Sequence, residues 1–318
     1  MVDLFAQFPP AANQIGSDAI HKDSAVFVGW ATEVSIERGQ QNLGDDSTQV
    51  ASVGELSFAL GPADNQTISL GDGGIATLAF DPPLQNGIGA DFAVFENGFP
   101  TLGGYFLELA FVEVSSDGSF FVRFPSISLT DTTQQLGTFD LITPTQINNL
   151  AGKHISNFGT PFDLEELKNI PALDINSISH IKIIDVVGSL ADSLASLDSR
   201  GIKINDPFAT PFPSGGFDLD AVGVIHQQKS TSISTAMPSK QLKIYPNPVS
   251  TNQSLFIELE TITNKIHSLQ IFSADGRLLV NNSLNSRSFT IPSLPPSLYF
   301  LKIDTEEFSL VREILVTE

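Results

Sequence analysis

The 318-residue chain has no cysteine, two methionines, one tryptophan and three tyrosines. Without thiols it can build neither a disulfide framework nor a thiolate metal site. Basic residues are scarce as well, with 16 Lys and Arg against 36 Asp and Glu, a formal net charge of −20. A field of that sign repels nucleic acid and anionic membranes and attracts cations, so no nucleic-acid partner is expected. No apolar run approaches the ~18 residues of a membrane-spanning helix, so no transmembrane segment is expected either. The opening MVDLFAQFPPAANQIG lacks both a basic start and an apolar stretch, and reads as no signal peptide.

Helix signals are few, and strand and turn signals abound. There are 24 Phe, 24 Gly and 19 Pro, and 41% of residues are hydrophobic against 16% charged. That is globular material, long enough for two domains with separate cores. Runs such as AVFVGWATEVSIE (25–37), GGIATLAF (73–80), DFAVFENGF (91–99), YFLELAFVEVSS (105–116), HIKIIDVVGS (180–189) and FDLDAVGVIH (217–226) predict strands. Ser116-Asp117-Gly118 predicts a hairpin between two of them. One short helix is predicted where Thr160 precedes Pro161, Asp163, Glu165 and Glu166. Residues 229–240, polar and rich in Ser and Thr, read as a linker. Beyond it seven short strand-like runs, with a turn at Ala274-Asp275-Gly276, predict a small second sandwich. The expected fold is all-β: a jelly-roll-like β-sandwich with long loops over 1–228, then a small immunoglobulin-like β-sandwich over 241–318. Charge divides unevenly between them. Residues 1–228 hold 28 acids and 8 Lys plus Arg, whereas residues 229–318 hold 8 of each.

Enzyme motifs are missing: no His-Glu-x-x-His, no Gly-x-Ser-x-Gly, no phosphate-binding loop, and five scattered histidines. No catalytic residue is assigned, and the expectation is a protein that is not an enzyme. Glu96, Glu108, Glu113, Asp218 and Asp220 could supply the paired carboxylates of a polysaccharide hydrolase, which is kept as an alternative. In PSGGFDLDAVGVIH a period of two places Phe217, Leu219 and Ala221 on one side of a strand and Asp218, Asp220 and Val222 on the other. The two acids then stand about 7 Å apart beside a buried strand. A hard cation would offset them, because Ca²⁺ gathers six to eight oxygen ligands. The preferred ligands are Glu96, Asn97, Asp218 and Asp220, with Asp64, Asp72 and Asp91 as further candidates. Segments around 38–58, 97–104, 130–160 and 189–216 could form a binding rim, with Phe99, Tyr105 and Phe212 as ligand contacts.

The tail carries KIYPNPVS, LQIFSADGRLL, IPSLPPSLYFLKI and LVREILV in that order. It resembles the type A C-terminal sorting domain of the type IX secretion system of Bacteroidota. Tyr245, Pro246, Asn247 and Pro248 match the opening of that family, and Asp275, Gly276 and Arg277 its central hairpin. The resemblance implies the type IX secretion machinery as partner and a secreted or outer-surface location. Such cargo reaches the periplasm with a signal peptide, so a truncated start is expected. In the first region, ALGPADN (59–65), SLGDGGIATLAF (69–80), LAFVEVSSDGSFFVRFPS (109–126) and PFPSGGFDLDAVGVI (211–225) resemble a family of secreted bacterial cell-surface proteins. VEVSSDGSFF and HIKIID are also similar to discoidin-like or galactose-binding-like jelly rolls, in which calcium often staples loops. The first resemblance implies an address outside the cell and the second a fold; the function expected is that of a non-catalytic surface protein that binds a glycan or other small extracellular ligand, or adheres, with calcium as structural support. A matrix protein without a small ligand is the other alternative.

Overall fold

The β-branched and aromatic runs form strands, and several of them break where the chain passes from one sheet to another. The computed structural model describes residues 8–46, 48–228, 242–259, 266–274, 276–283, 288–305 and 309–317. The linker 229–240 and Asp275 lie outside these residues. The chain divides into two units, Met1–Lys229 and Ser230–Glu318.

The first unit contains β1 (Ile20–His21), β2 (Gly29–Trp30), β3 (Glu33–Glu37), β4 (Ile68–Ser69) and β5 (Ile75–Leu84). There follow β6 (Phe92–Glu96), β7 (Phe99–Thr101), β8 (Gly104–Phe106), β9 (Ala110–Ser115) and β10 (Val122–Arg123). The last are β11 (Ile127–Ser128), β12 (Ile147–Asn148), β13 (Phe158–Phe162), β14 (Ile178–Asp185) and β15 (Asp218–Val224). One sheet runs β1-β13-β6-β15-β2, with β4 also on β15, and the other β10-β9-β14-β5-β3. Successive strands switch sheet at most connections, the habit of jelly rolls. Leu78, Phe80, Ile181 and Ile183 from one sheet meet Phe92, Val94, Leu219 and Val222 from the other in the buried core. Each such side chain contributes about 1.5–3 kcal/mol, more than a typical surface ion pair.

Three local expectations are corrected. The run 25–37 is two strands in different sheets: Trp30 pairs with Gly223, and Glu33 with Ala79. Neighbouring amides make the crossing, since Ala31 N donates to Val222 O and Thr32 N to Ala79 O. The helix predicted at Thr160 is absent. Thr160 and Pro161 continue β13, paired with Val94 and Ala93, and β1 reaches only as far as Gly159 beside them. A short 3₁₀ turn, Leu164–Leu167, begins instead after Asp163, whose side chain accepts from Glu165 N. The alternation in β15 is also interrupted. Leu219 pairs with Glu96 and Ala221 with Phe95, which leaves Asp220 as the extra residue of a β-bulge. A bulge reverses the inward phase. Val222 and Val224 therefore join Phe217 and Leu219 in the core, while Ala221 packs with Ala63, Ala93 and Phe95 elsewhere.

Antiparallel pairing gathers strand ends at one rim. β6 ends at Glu96 beside the start of β15, and Asp185 at the end of β14 pairs with Ala110 at the start of β9. The predicted strand 105–116 breaks between β8 and β9, and Glu108 lies in the break. Leu107, Leu109, Ile142, Ile147, Val186 and Ile204 form a second core beneath the rim loops.

The second unit contains β16 (Leu242–Tyr245), β17 (Val249–Ser250), β18 (Ser254–Leu259), β19 (Ile266–Ser273), β20 (Leu278–Ser283), β21 (Ser288–Thr290), β22 (Ser297–Thr305) and β23 (Ser309–Thr317). Its sheets, β16-β18-β21 and β17-β23-β22-β19-β20, enclose Leu255, Ile257, Leu269, Ile271, Leu301 and Ile314. β19 and β20 form the predicted hairpin. Among the described residues no helix is long and apolar enough to cross a membrane.

Gly152 and Gly61 both have φ +80°, yet a Cβ at Gly152 would stand 1.9 Å from the Glu108 carbonyl oxygen, whereas at Gly61 it meets nothing within 4 Å. Gly61→Ala is expected to cost only the left-handed penalty, about 1–2 kcal/mol. Gly152→Ala should lower the denaturant midpoint much further or prevent folding. Equal midpoints for the two variants would show that the close approach does not constrain the rim.

Candidate ligand-binding cavity

At the rim, the segment from the end of β6 to the start of β9, the loop between β11 and β12 and the loop before β15 line a cavity of about 240 Å³. Phe99, Phe106, Phe139 and Phe212 form its wall. Their rings follow one another, with centroids 5.1 Å apart for Phe99–Phe106, 6.2 Å for Phe106–Phe139 and 6.1 Å for Phe139–Phe212. Phe106 is buried, but Phe139 is 70% exposed and Phe99 and Phe212 are also exposed. An exposed row of three large apolar rings is unusual on a monomer surface and marks a place of contact. Asn97, Thr138, Thr210 and Ser214 add polar groups, and Glu108 and Asp218 add carboxyls.

These two carboxyls have unlike surroundings. Asp218 accepts hydrogen bonds from the Ser69 hydroxyl and, at 2.7 Å, from Asn97 Nδ2. Burial raises its pKa, and those two donors and the Arg38 guanidinium oppose the rise. Glu108 is 6% exposed, and among the described residues no donor reaches its carboxyl. Burial, then the charges of Glu96, Asp218, Asp206 and Asp185, push its pKa well above the usual carboxylate range. Glu96 is pushed well up by burial and by Asp218, although Gly98 N donates to its Oε2 at 2.6 Å. Its Oε1 and the Oδ1 of Asp206 are buried without a partner. Asp206 is raised by burial and by Asp185. Asp185 accepts from Phe217 N at 2.7 Å and Gly73 N at 2.9 Å, and burial still brings it to about 7. Asp72, bonded to Leu43 N at 2.8 Å, is raised by burial to about 6. Arg38 donates to the carbonyls of Val53, Ser69 and Gly54, each at 2.7 Å, so backbone oxygens occupy much of its hydrogen-bonding capacity.

The candidate metal ligands fall in separate places. Glu96, Asn97 and Asp218 lie together at the rim. Asp220, displaced by the bulge, accepts from Asp64 N at 3.1 Å and Asn65 N at 3.2 Å and is raised by burial to about 6. Asp64 bonds Gln66. Asp72 joins the rim acids through Asp185. Asp91 instead accepts from Gly87 N and Leu164 N and pairs with His226 Nδ1, each at 2.7 Å. Among the described residues no three His, Cys, Asp or Glu side chains converge in a geometry that holds a metal ion. Of the proposed ligand contacts, Phe99 and Phe212 line the cavity. Tyr105 does not: it pairs with Pro100 across the β7–β8 hairpin and its hydroxyl accepts from Gln14 Nε2 at 3.1 Å.

Phe106, Phe139 and Asp185 are not distinguished in the sequence as site residues, whereas Asn205-Asp206 is one of its acid and amide stretches suited to calcium. Asp185 carries a usable signal, an acid set in apolar sequence, in KIIDVVG. Nothing separates Phe139 from the other phenylalanines. In the second unit Tyr245 is exposed and stacks on Phe256 at 5.8 Å. Asn247 Nδ2 donates to Glu313 O, and its Oδ1 accepts from Leu315 N. Gly276 takes φ +83° in the β19–β20 turn, and Arg277 O accepts from Ser273 N.

Residues 243–317 match the family of secretion system C-terminal sorting domains. The second unit is a sorting domain of the type IX secretion kind, which implies export and secretion or attachment at the cell surface. No curated protein matches the chain. Solved structures similar to it include PorZ, an essential surface component of the type IX secretion system of Porphyromonas gingivalis, at 15% identity over 31% of this chain and 14% of that one, TM-score 0.21. The BSP domain of a biofilm associated protein is similar at 11% identity over 92% and 52%, TM-score 0.22. A β-1,2-glucanase from Parabacteroides distasonis is similar at 9% identity over 94% and 39%, TM-score 0.28. The chain spans about half or less of each of these structures, and likeness at such scores carries no argument about activity.

The raised acids set the sign of the pH dependence. A carboxyl whose folded pKa exceeds its unfolded value stabilises below the unfolded value and loses that contribution as pH rises through the folded one. For Asp72 and Asp185 the window runs from near 4 to about 6 and about 7. In calcium-free buffer the melting temperature of the first unit should therefore fall by several degrees between pH 5 and pH 8. Glu108→Gln should shallow that slope, and a melt that rises over this interval would contradict the buried-acid account.

Proposed function

We propose that the first unit is a non-catalytic binding module, displayed or released outside the cell, that holds a small extracellular ligand of the glycan class in the rim cavity. The observation that carries this reading is the exposed phenylalanine row beside two carboxyls at one end of a rigid sandwich. Loops on such a scaffold can vary without disturbing the core, which is why binding sites gather there. Aromatic faces pack against the C–H faces of sugars, and Asn97, Thr138, Thr210 and Ser214 offer hydrogen bonds to hydroxyls.

Calcium belongs to this proposal as a support for the rim. Glu96 Oε1 and Asp206 Oδ1 are buried among acids with no donor, and a divalent ion would offset them. A second reading, polysaccharide hydrolysis, is favoured by one observation. Glu108, with no donor among the described residues, is pushed well up by burial and neighbouring acids, while hydrogen bonds to Asp218 oppose its rise, a contrast of the kind that divides an acid from its partner carboxylate.

A glycan array probed with the full chain should give hits that Phe212→Ala weakens at least tenfold, about 1.4 kcal/mol. Phe212 is exposed, so the melting temperature should barely change. Release of reducing ends from a bound glycan, abolished by Glu108→Gln, would instead support the hydrolase. EDTA should lower the melting temperature of the first unit by several degrees and added calcium restore it. A melt indifferent to both would remove calcium from the proposal.

A further inference from the structure

The cavity places an apolar aromatic wall against a cluster of buried carboxyls, and that pairing restricts its ligand. Among the described residues no Lys, Arg or His lines it. Arg38 acts on Asp218 from beside the site. Glu108 is more than nine-tenths buried, lines the cavity and has no donor among the described residues. Behind it lie Glu96, Asp206 and Asp185. An anionic ligand would add to this repulsion. A neutral ligand would bring hydroxyl donors but leave the charge in place. Calcium would neutralise the charge but needs six to eight oxygens at 2.3–2.6 Å, and one wall of this cavity offers only rings. An ammonium group satisfies both sides: it donates to carboxylates and is attracted to aromatic faces.

We propose that the cavity receives the protonated amine of an amino sugar, with the ammonium between Glu108 and Asp218 and the sugar face against Phe99, Phe139 and Phe212. This inference rests on the ligand-binding reading above and names the ligand class of the same site. The 240 Å³ volume gives room for one hexose-sized ring, with the rest of a chain lying across the exposed rings.

The test is isothermal titration of the full chain, near neutral pH, with a glucosamine tetramer, its N-acetylated counterpart and cellotetraose. The free-amine tetramer should bind at least tenfold more tightly than either neutral one, and its affinity should fall as NaCl rises, as for any charge-paired complex. Glu108→Gln should remove at least tenfold of that affinity and so narrow the gap between the free-amine tetramer and the neutral ones. Should that variant fail to fold, the salt series on the unaltered chain decides: an affinity indifferent to NaCl overturns the proposal. Equal affinity for all three tetramers overturns the amine inference and leaves the ligand-binding reading standing. No binding of any tetramer, with no array hits, overturns both. Heat from calcium alone, with no tetramer bound, overturns the amine in favour of a metal site.

Discussion

Buried carboxyls without matching cations govern the first unit. Elsewhere in the same unit buried charge is paired: Lys153 and His154 share Asp18 at 3.1 and 2.8 Å, and His226 meets Asp91 at 2.7 Å. At the rim, Asp72, Asp185, Asp206, Glu96, Glu108 and Asp218 act on one another through shared low-dielectric surroundings. Leaving such groups ionised and alone is costly, so they hold protons or await a cation. The sandwich core supplies the stability that tolerates this arrangement, and the placement at strand ends keeps it beside solvent.

The geometry follows from antiparallel pairing. Because β6 and β15 run in opposite directions, the end of one and the start of the other bring Glu96 and Asp218 into one neighbourhood, although 121 positions separate Asn97 from the Asp218 it bonds. The bulge at Asp220 then divides the two acids of FDLDAVG between different surroundings. A single extra residue thus gives Asp218 to the cavity and Asp220 to the turn at Asp64 and Asn65.

Much of this architecture was legible in the amino-acid order. Composition, strand runs and turn residues carry the all-β class, and the tail motifs carry the sorting domain. Phe99 and Phe212 could be picked out because they lie in long inter-strand segments. Other parts were not legible for definite reasons. Thr160-Pro161 has the chemistry of a helix start, but pairing with β6 overrides that local preference. The phase reversal at Asp220 depends on a partner strand more than a hundred residues away. Phe139 resembles any other loop phenylalanine until tertiary packing sets its ring beside Phe106 and Phe212.

β15 has a mechanical consequence. Its first residue, Asp218, borders the cavity, and beyond its last, Val224, the backbone amides of Ile225 and His226 both donate to Asp91 O. Tension applied between the two ends of this fully buried strand would run lengthwise along it. Its ladders to β6, β4 and β2 are then sheared together instead of being peeled apart one by one.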